Sequence, residues 1–379
     1  MKILHIITGL RTGGAEMMLH RLATAPTPGT VHEVISLRGW GTVGARLQEA
    51  GVPVTSVDMF GASTPLAFLR LVAAIRRSKP DLVQTWLYHA DVMGGLAARL
   101  AGVKRIVWGI RTADIRVGIG LSRGAGLMLR AAARMSRILP ERIVYVAEAA
   151  RIAHEACGYD PAKSLVIHNG FRLPDPADCA RGRASVRQEI GVSPDALLLG
   201  TAGTFNAQKN QVGFVAACAP LLARRADLHV LLIGRGNDAA SPELVDAVRA
   251  TGHADRIHLL GERRDVSDCL AALDIFCLAS RGEGFPNVVG EAMAVGTSAV
   301  VTDVGDAALL VADTGTVVPV DDPAALAAAL AGQIDLPRTI LAERGQAARD
   351  RIARDFTMDQ VKDRYHMLYH SPSIRGIHS

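Results

Sequence analysis

Aromatic residues are scarce. Phe, Trp and Tyr make up 4 % of the 379 residues, against 49 % hydrophobic residues in all, so any core must be aliphatic, as in sheets of Val, Ile and Leu covered by helices. No run approaches the roughly 20 consecutive apolar residues of a membrane-spanning helix. The opening "MKILHIITG" reads as a short strand and lacks the basic leader, long apolar core and cleavage site of a signal peptide, so a cytoplasmic location is expected. Five cysteines (Cys157, Cys179, Cys218, Cys269, Cys277), odd in number and without a C-x-x-C pair, exclude a zinc or disulfide framework and read as reduced core thiols.

Charge is unevenly distributed. Through Gly170 there are 21 Lys+Arg against 11 Asp+Glu; the remainder holds 21 against 26. The first half either faces something anionic or carries a solvated basic surface. Short apolar runs alternate with amphipathic ones, the pattern of parallel sheets with crossover helices. "KILHIITG", "HEVISL", "VPVTSVD", "DLVQTWL", "RIVWGIR", "RIVYVA" and "SLVIHNG" predict seven strands, and "LLLGTAG", "LHVLLIG", "RIHLLG", "DIFCLAS", "SAVVTDVG" and "TVVPV" six more. The break at "FRLPDPADCARGR" divides a domain of residues 1–170 from one of 197–379 by a linker, 171–196. The expected fold is α/β, two doubly wound Rossmann-like domains facing each other across a cleft, with ligands at the carboxyl ends of strands. The last helix is expected to return to the first domain.

Three strand-end loops carry glycines. Gly13-Gly14 follow the first strand and precede a helix opening near Ala15-Glu16, where backbone and helix amides suit an anion; a plain tight turn would use the same residues. Gly234, Gly236 and Ala239 spell G-x-G-x-x-A, but the following helix starts late, near Ser241-Pro242, which argues against a dinucleotide fingerprint. In "SRGEGFPNVVGEAMAVG", Gly282, Gly284, Phe285, Pro286 and Asn287 form a loop before a helix opening near Val288. Glu283 precedes that loop and Glu291 lies about one turn into the helix. Two carboxylate acceptors around amide donors suit a ligand with hydroxyls at both ends and an anion between, although a capped surface helix would look the same.

E-G-F-P-N-x-x-x-E-A-M-A-x-G resembles the E-x7-E motif of retaining glycosyltransferase family 4, and "GGAE", "VIHNG" and "GTFNAQKN" fall in the order of that family. The resemblance implies the GT-B fold and transfer of a hexose-type sugar from a UDP- or GDP-linked donor to a sugar or lipid-linked sugar acceptor in cell-surface polysaccharide or glycolipid synthesis. It implies no cofactor, no metal and no nucleic acid partner. Glu291 would hold the ribose, Glu283 the transferred sugar, Lys209 the diphosphate, and the stretch Gly284 to Asn287 the sugar and diphosphate. Gly13 and Gly14 would face the phosphates or the acceptor. Gly203, Thr204 and Asn206 belong to the donor loop, where many members carry arginine in place of Thr204 and so give the leaving group a second cation. Arg111, near the place of an active-site histidine in many members, and His89, at the preceding strand end, are rivals for a role from the facing domain. No D-x-D is present to hold a divalent ion. A non-catalytic or epimerase-like nucleotide-sugar-binding protein of the same fold stays open, because Thr204 removes a cation.

On a helical wheel of "LSRGAGLMLRAAARMSRILPER", Arg123, Arg130, Arg134 and Arg137 cluster opposite Leu121, Met128, Ala132 and Met135. The arginine face suits an anionic membrane surface at the inner face of the plasma membrane; a solvated crossover helix is the alternative.

Overall fold

The computed structural model describes residues 1–11, 13–25, 29–59, 64–112, 115 and 123–371, with the backbone alone at 123–125 and 127. The chain forms two units, Met1–Gly170 with Met358–Ser379, and Phe171–Thr357.

The thirteen apolar runs form thirteen strands among the described residues. The first sheet contains β1 (Lys2–Ile7), β2 (Val31–Ser36), β3 (Val54–Ser56), β4 (Leu82–Trp86), β5 (Arg105–Ile110), β6 (Arg142–Tyr145) and β7 (Ser164–Val166), in the order β3-β2-β1-β4-β5-β6-β7. The second contains β8 (Leu197–Ala202), β9 (Leu228–Ile233), β10 (Ile257–Leu259), β11 (Ile275–Leu278), β12 (Ser298–Thr302) and β13 (Thr316–Val318), in the order β10-β9-β8-β11-β12-β13. All pairings are parallel. The central strands bury both faces, which is why they read as continuous apolar runs. In each sheet the strand order reverses once, between β1 and β4 and between β8 and β11, and such switch points are where open α/β sheets bind ligands.

The stretch 171–196, expected as a linker, is instead part of the second unit and carries the helix Pro176–Glu189. Pro176 sits at its first turn, and the Asp175 carboxylate accepts from the Ala177 amide at 2.7 Å. Its inward side is cationic. Arg183 and Arg187 pair with Asp274 at 2.6 and 2.8 Å and donate to carbonyls of Ala271 to Leu273, so no apolar period marks the helix. Cys218, Cys269 and Cys277 are buried in this unit, whereas Cys157 is exposed and Cys179 half-buried.

In the first unit the helix Met358–His370 lies against the sheet. Tyr365 stacks on Trp86 with ring centres 6.4 Å apart, and Arg105 donates to the carbonyls of Leu368 and Tyr369. The helix Arg123–Ser136 exposes Arg130 and Arg134, followed by exposed Arg137, but its buried side is Leu129, Ala132, Ala133 and Ser136. Met128 and Met135, expected to face inward, are half-buried; Leu121 and the Arg123 side chain lie outside the described residues. No described helix is long and apolar enough to cross a membrane.

Three buried histidines tie the first unit to pH. An indole N–H only donates, so the Trp86 bond to His5 Nδ1 (3.1 Å) makes that nitrogen an acceptor and leaves His5 Nε2–H to donate to His32 Nδ1 (2.9 Å). Burial lowers His5, and takes His32 and His154 down to about 4. The unfolded chain therefore takes up protons that the native state refuses as pH falls from about 6.5 toward 4. Stability present at neutral pH is lost across that window, by about 2 kcal/mol at pH 5 for each of His32 and His154. Urea midpoints should fall between pH 7 and pH 5, and fall less in His32→Asn, which keeps an acceptor for His5 without a titrating ring. Equal slopes in both proteins would show that other groups set the acid limit.

Candidate functional site

In the second unit the loops after β8 and β11, the two strands flanking its switch point, are bonded to each other. Lys209 Nζ donates to Glu283 Oε1 at 2.5 Å, and Ser280 Oγ donates to the same oxygen at 2.7 Å. The carboxylate is only 11 % exposed. The backbone fixes both sides of this pair: Arg281 N–H donates to the Gln208 carbonyl at 2.7 Å, and Gln208 Nε2 to the Gly282 carbonyl at 2.9 Å. Asn206 Oδ1 accepts from the Lys209 amide at 3.0 Å, which turns the chain toward the helix Gln211–Arg224. Gly203 adopts φ +154°, a backbone conformation that favours glycine, and the Lys209 stem lies within van der Waals reach of it. Thr204 is exposed, and its carbonyl accepts from Asn206 Nδ2 and Gln211 Nε2.

The helix Asn287–Ala294 opens after Pro286, and Glu291, half-buried, sits one turn inside it. Pro286 has no N–H to donate. The Phe285 ring is buried, stacked on Phe171 at 6.0 Å and against Phe356 at 5.9 Å, so its side chain anchors the loop and only its backbone faces the question of ligand binding. The Gly284 carbonyl accepts from the Asp306 amide at 2.9 Å.

Sequence reasoning missed the residues that hold these loops. Ser280 orients Glu283. Gly305, at φ +55°, brings its backbone so near the carbonyls of Gly284 and Glu283 that a Cβ would lie 2.2 and 2.7 Å from them. The G-x-G-x-x-A stretch has a structural use: the Gly234 backbone abuts the Gly203 carbonyl, to which Asn237 Nδ2 donates at 2.7 Å. A serine, glycine or asparagine beside a strand end is all the sequence offers as a signal for any of them.

The first unit has its own strand-end site. A cavity of about 570 Å³ is lined by the loops after β1, β2, β3 and β4, and so includes its switch point; Thr8, Arg11, Glu16, Arg38, Asp58 and Leu87 contribute to the wall. Leu87 adopts φ +74°, a conformation costly for a side chain of that size and typical of sites where surrounding structure fixes the backbone. The helix Gly14–Ala23 begins beside the cavity with Gly13 as its cap in extended backbone. The Glu16 side chain folds back over Gly13, so that a Cβ there would fall 2.4 Å from Glu16 Oε2 and the carboxylate would have to swing aside. Burial raises the Glu16 carboxyl above its ordinary range.

The rivals Arg111 and His89 occupy different surroundings. Arg111 lies over the Trp86 ring at 4.3 Å and donates to Asn169 Oδ1 (2.9 Å) and the Tyr365 hydroxyl (2.8 Å), so it clamps the C-terminal helix to the sheet. His89 follows β4 close to the cavity, with its pKa lowered by burial and by the charge of Arg38.

A family model described as Glycosyltransferase Family 4 matches residues 12–173, and one described as Glycosyl transferases group 1 matches residues 196–335. The chain is similar to lipopolysaccharide core biosynthesis mannosyltransferase LpsB of Rhizobium meliloti (strain 1021), with 31 % identity over 222 residues, 56 % of this chain and 62 % of that one. It is also similar to the UDP-Gal:alpha-D-GlcNAc-diphosphoundecaprenol alpha-1,3-galactosyltransferase of Escherichia coli, with 26 % identity over 317 residues, 79 % of this chain and 78 % of that one. Anabaena Alr3699/HepE, solved in complex with UDP and glucose, has a TM-score of 0.84 at 22 % identity and covers 98 % of this chain and 100 % of its own. A glycosyltransferase from Rickettsia africae ESF-5 has a TM-score of 0.80 at 16 % identity, covering 97 % of each chain. These likenesses show the GT-B fold.

Proposed function

We propose, from the premise that the chain belongs to glycosyltransferase family 4, that it transfers a hexose-type sugar from a UDP- or GDP-linked donor to a hydroxyl acceptor, with retention of configuration and without a metal. The observation that carries this reading is the Lys209–Glu283 pair at the second switch point, one loop away from the N-terminus of the helix bearing Glu291. Glu283, oriented by Ser280, accepts hydrogen bonds from the transferred sugar; Glu291 accepts them from the ribose diol. The Lys209 ammonium neutralises the diphosphate as the bond from the anomeric carbon to the phosphate oxygen breaks, and the helix amides favour the same anion. The acceptor oxygen bonds to the anomeric carbon on the face the diphosphate leaves, and its proton passes to the departing phosphate. Glu283 is engaged by Lys209 and Ser280, which suits it to holding sugar better than to covalent attack.

Melting temperatures with UDP, GDP, ADP and their sugars test this, because a ligand of the native state raises stability by mass action. Glu291→Ala should weaken donor binding about tenfold or more, and Glu283→Ala should chiefly lower turnover. Absence of stabilisation by any nucleotide sinks the reading. Binding without transfer or donor hydrolysis favours the non-catalytic alternative, which Thr204 supports.

The acceptor in this reading is a sugar or lipid-linked sugar, as the names of the two relatives suggest, met at an anionic membrane surface. With residues 358–379 included, the first unit carries 24 Lys+Arg against 13 Asp+Glu, and Arg130, Arg134 and Arg137 are exposed along one side. Each such cation contributes about 1 kcal/mol near anionic headgroups. Co-sedimentation should show binding to anionic but not neutral liposomes, weakened by salt and by changing Arg130, Arg134 and Arg137 to glutamine. Equal binding by the triple variant removes the helix from the mechanism.

A further inference from the structure

The cavity of the first unit has a chemistry that the transferase reading leaves unused. Its volume, about 570 Å³, is that of a small-ligand pocket. Its wall combines two guanidinium groups, Arg11 and Arg38, with two carboxylates, Glu16 and Asp58. Asp58 Oδ1 accepts from the Gly39 amide (3.0 Å) and Ser56 Oγ (3.2 Å), and the turn it braces has Asp58 at φ +42° and Gly39 at φ +55°. Asp58 therefore holds in place the turn that presents Arg38, whose own amide donates to Ser36 Oγ at 3.3 Å. Glu16 lies over the first turn of its own helix beside Gly13, with its own amide as a partner. The charge of Arg38 also reaches His89, which adds a second strand-end side chain beside Leu87.

A guanidinium has only donors, in a planar fork that matches phosphate or carboxylate. A neutral sugar does not require that fork; an acid does. We infer that this cavity takes an acceptor whose polyol carries an anionic group, a phosphate or a carboxylate, and that Arg38 is the side chain that selects for it, with Glu16 accepting from a hydroxyl. The inference rests on the transferase reading for the word acceptor, and on the cavity alone for the preference.

The test is a titration of the full chain with a hexose phosphate, with glucuronate and with methyl glucoside. At least one acid should bind about tenfold or more tighter than the neutral glycoside, and which acid wins identifies phosphate or carboxylate as the anion. Arg38→Gln should bring the acids to within about twofold of the glycoside, Arg38→Lys should keep part of the preference, and Lys209→Ala should leave it intact, which places the anion in the first unit. Equal binding of acid and glycoside by the wild type, an undiminished preference in Arg38→Gln, loss of the preference in Lys209→Ala, or no binding of any of the three overturns the inference. UDP binding by the wild type is read separately: its absence sinks the transferase reading and leaves the anion preference standing or falling on its own titrations.

Discussion

Replacing Lys209 by alanine is expected to lower turnover by about two to three orders of magnitude, the size of effect seen when one preorganised donor to a developing anion is removed. The structure gives the loss two sources. The leaving diphosphate loses its ammonium, and Glu283, 11 % exposed, loses the partner at 2.5 Å that balances its charge and keeps the Ser280 hydroxyl. Because the two side chains touch, the double variant Lys209→Ala with Glu283→Gln should cost less than the sum of the single changes. Steady-state kcat/KM across the four proteins measures this. A fall of less than about threefold in Lys209→Ala would remove the residue from the chemistry. Wild-type activity should survive EDTA; loss on chelation, restored by manganese, would put a metal in the place proposed for Lys209.

Gly305→Ala should also lower turnover, although no role toward substrate is assigned to position 305. The new methyl would fall 2.2 Å from the Gly284 carbonyl oxygen and 2.7 Å from that of Glu283, and backbone cannot swing aside as a side chain does. The loop carrying Glu283 must move, so turnover should drop about tenfold or more, with a stability loss of about 2–4 kcal/mol. Gly252→Ala is the control. Gly252 has φ +73° with nothing within 4 Å of its would-be Cβ, so alanine there meets the conformational cost alone, about 1 kcal/mol, and turnover should be untouched. If Gly305→Ala behaves like Gly252→Ala, the close approach does not position the loop.

Much of the fold was legible because burial on both sides of a parallel sheet leaves unbroken Val, Ile and Leu runs, and because Pro and Ser marked helix starts such as Ser241-Pro242. The helix Pro176–Glu189 was missed for the converse reason: it docks through Arg183 and Arg187, and Arg187 is only 2 % exposed, so hydrophobic periodicity had nothing to detect. The buried side of Arg123–Ser136 was misplaced because, Leu129 apart, two alanines and a serine line it, and small residues barely weight a helical wheel. In the site, the local motif with Glu283 and Glu291 was readable. The pairing of Lys209 with Glu283, 74 residues apart, and of Arg111 with Tyr365, 254 apart, was not. Such pairs are set by strand order, which composition and spacing do not encode.

The helix Met358–His370 belongs to a sheet whose last strand ended nearly two hundred residues earlier, and this orders events during synthesis. When the ribosome has delivered Met1–Gly170, Arg105 lacks the carbonyls of Leu368 and Tyr369, Arg111 lacks the Tyr365 hydroxyl, and Trp86 lacks its stacking partner. The whole contiguous second unit, Phe171–Thr357, emerges before they arrive. Closing so long a loop is slow, and an uncovered apolar sheet is exposed to aggregation meanwhile. The nascent first unit therefore waits, incomplete, while its neighbour is free to finish folding, and the last helix acts as the latch that ends the wait.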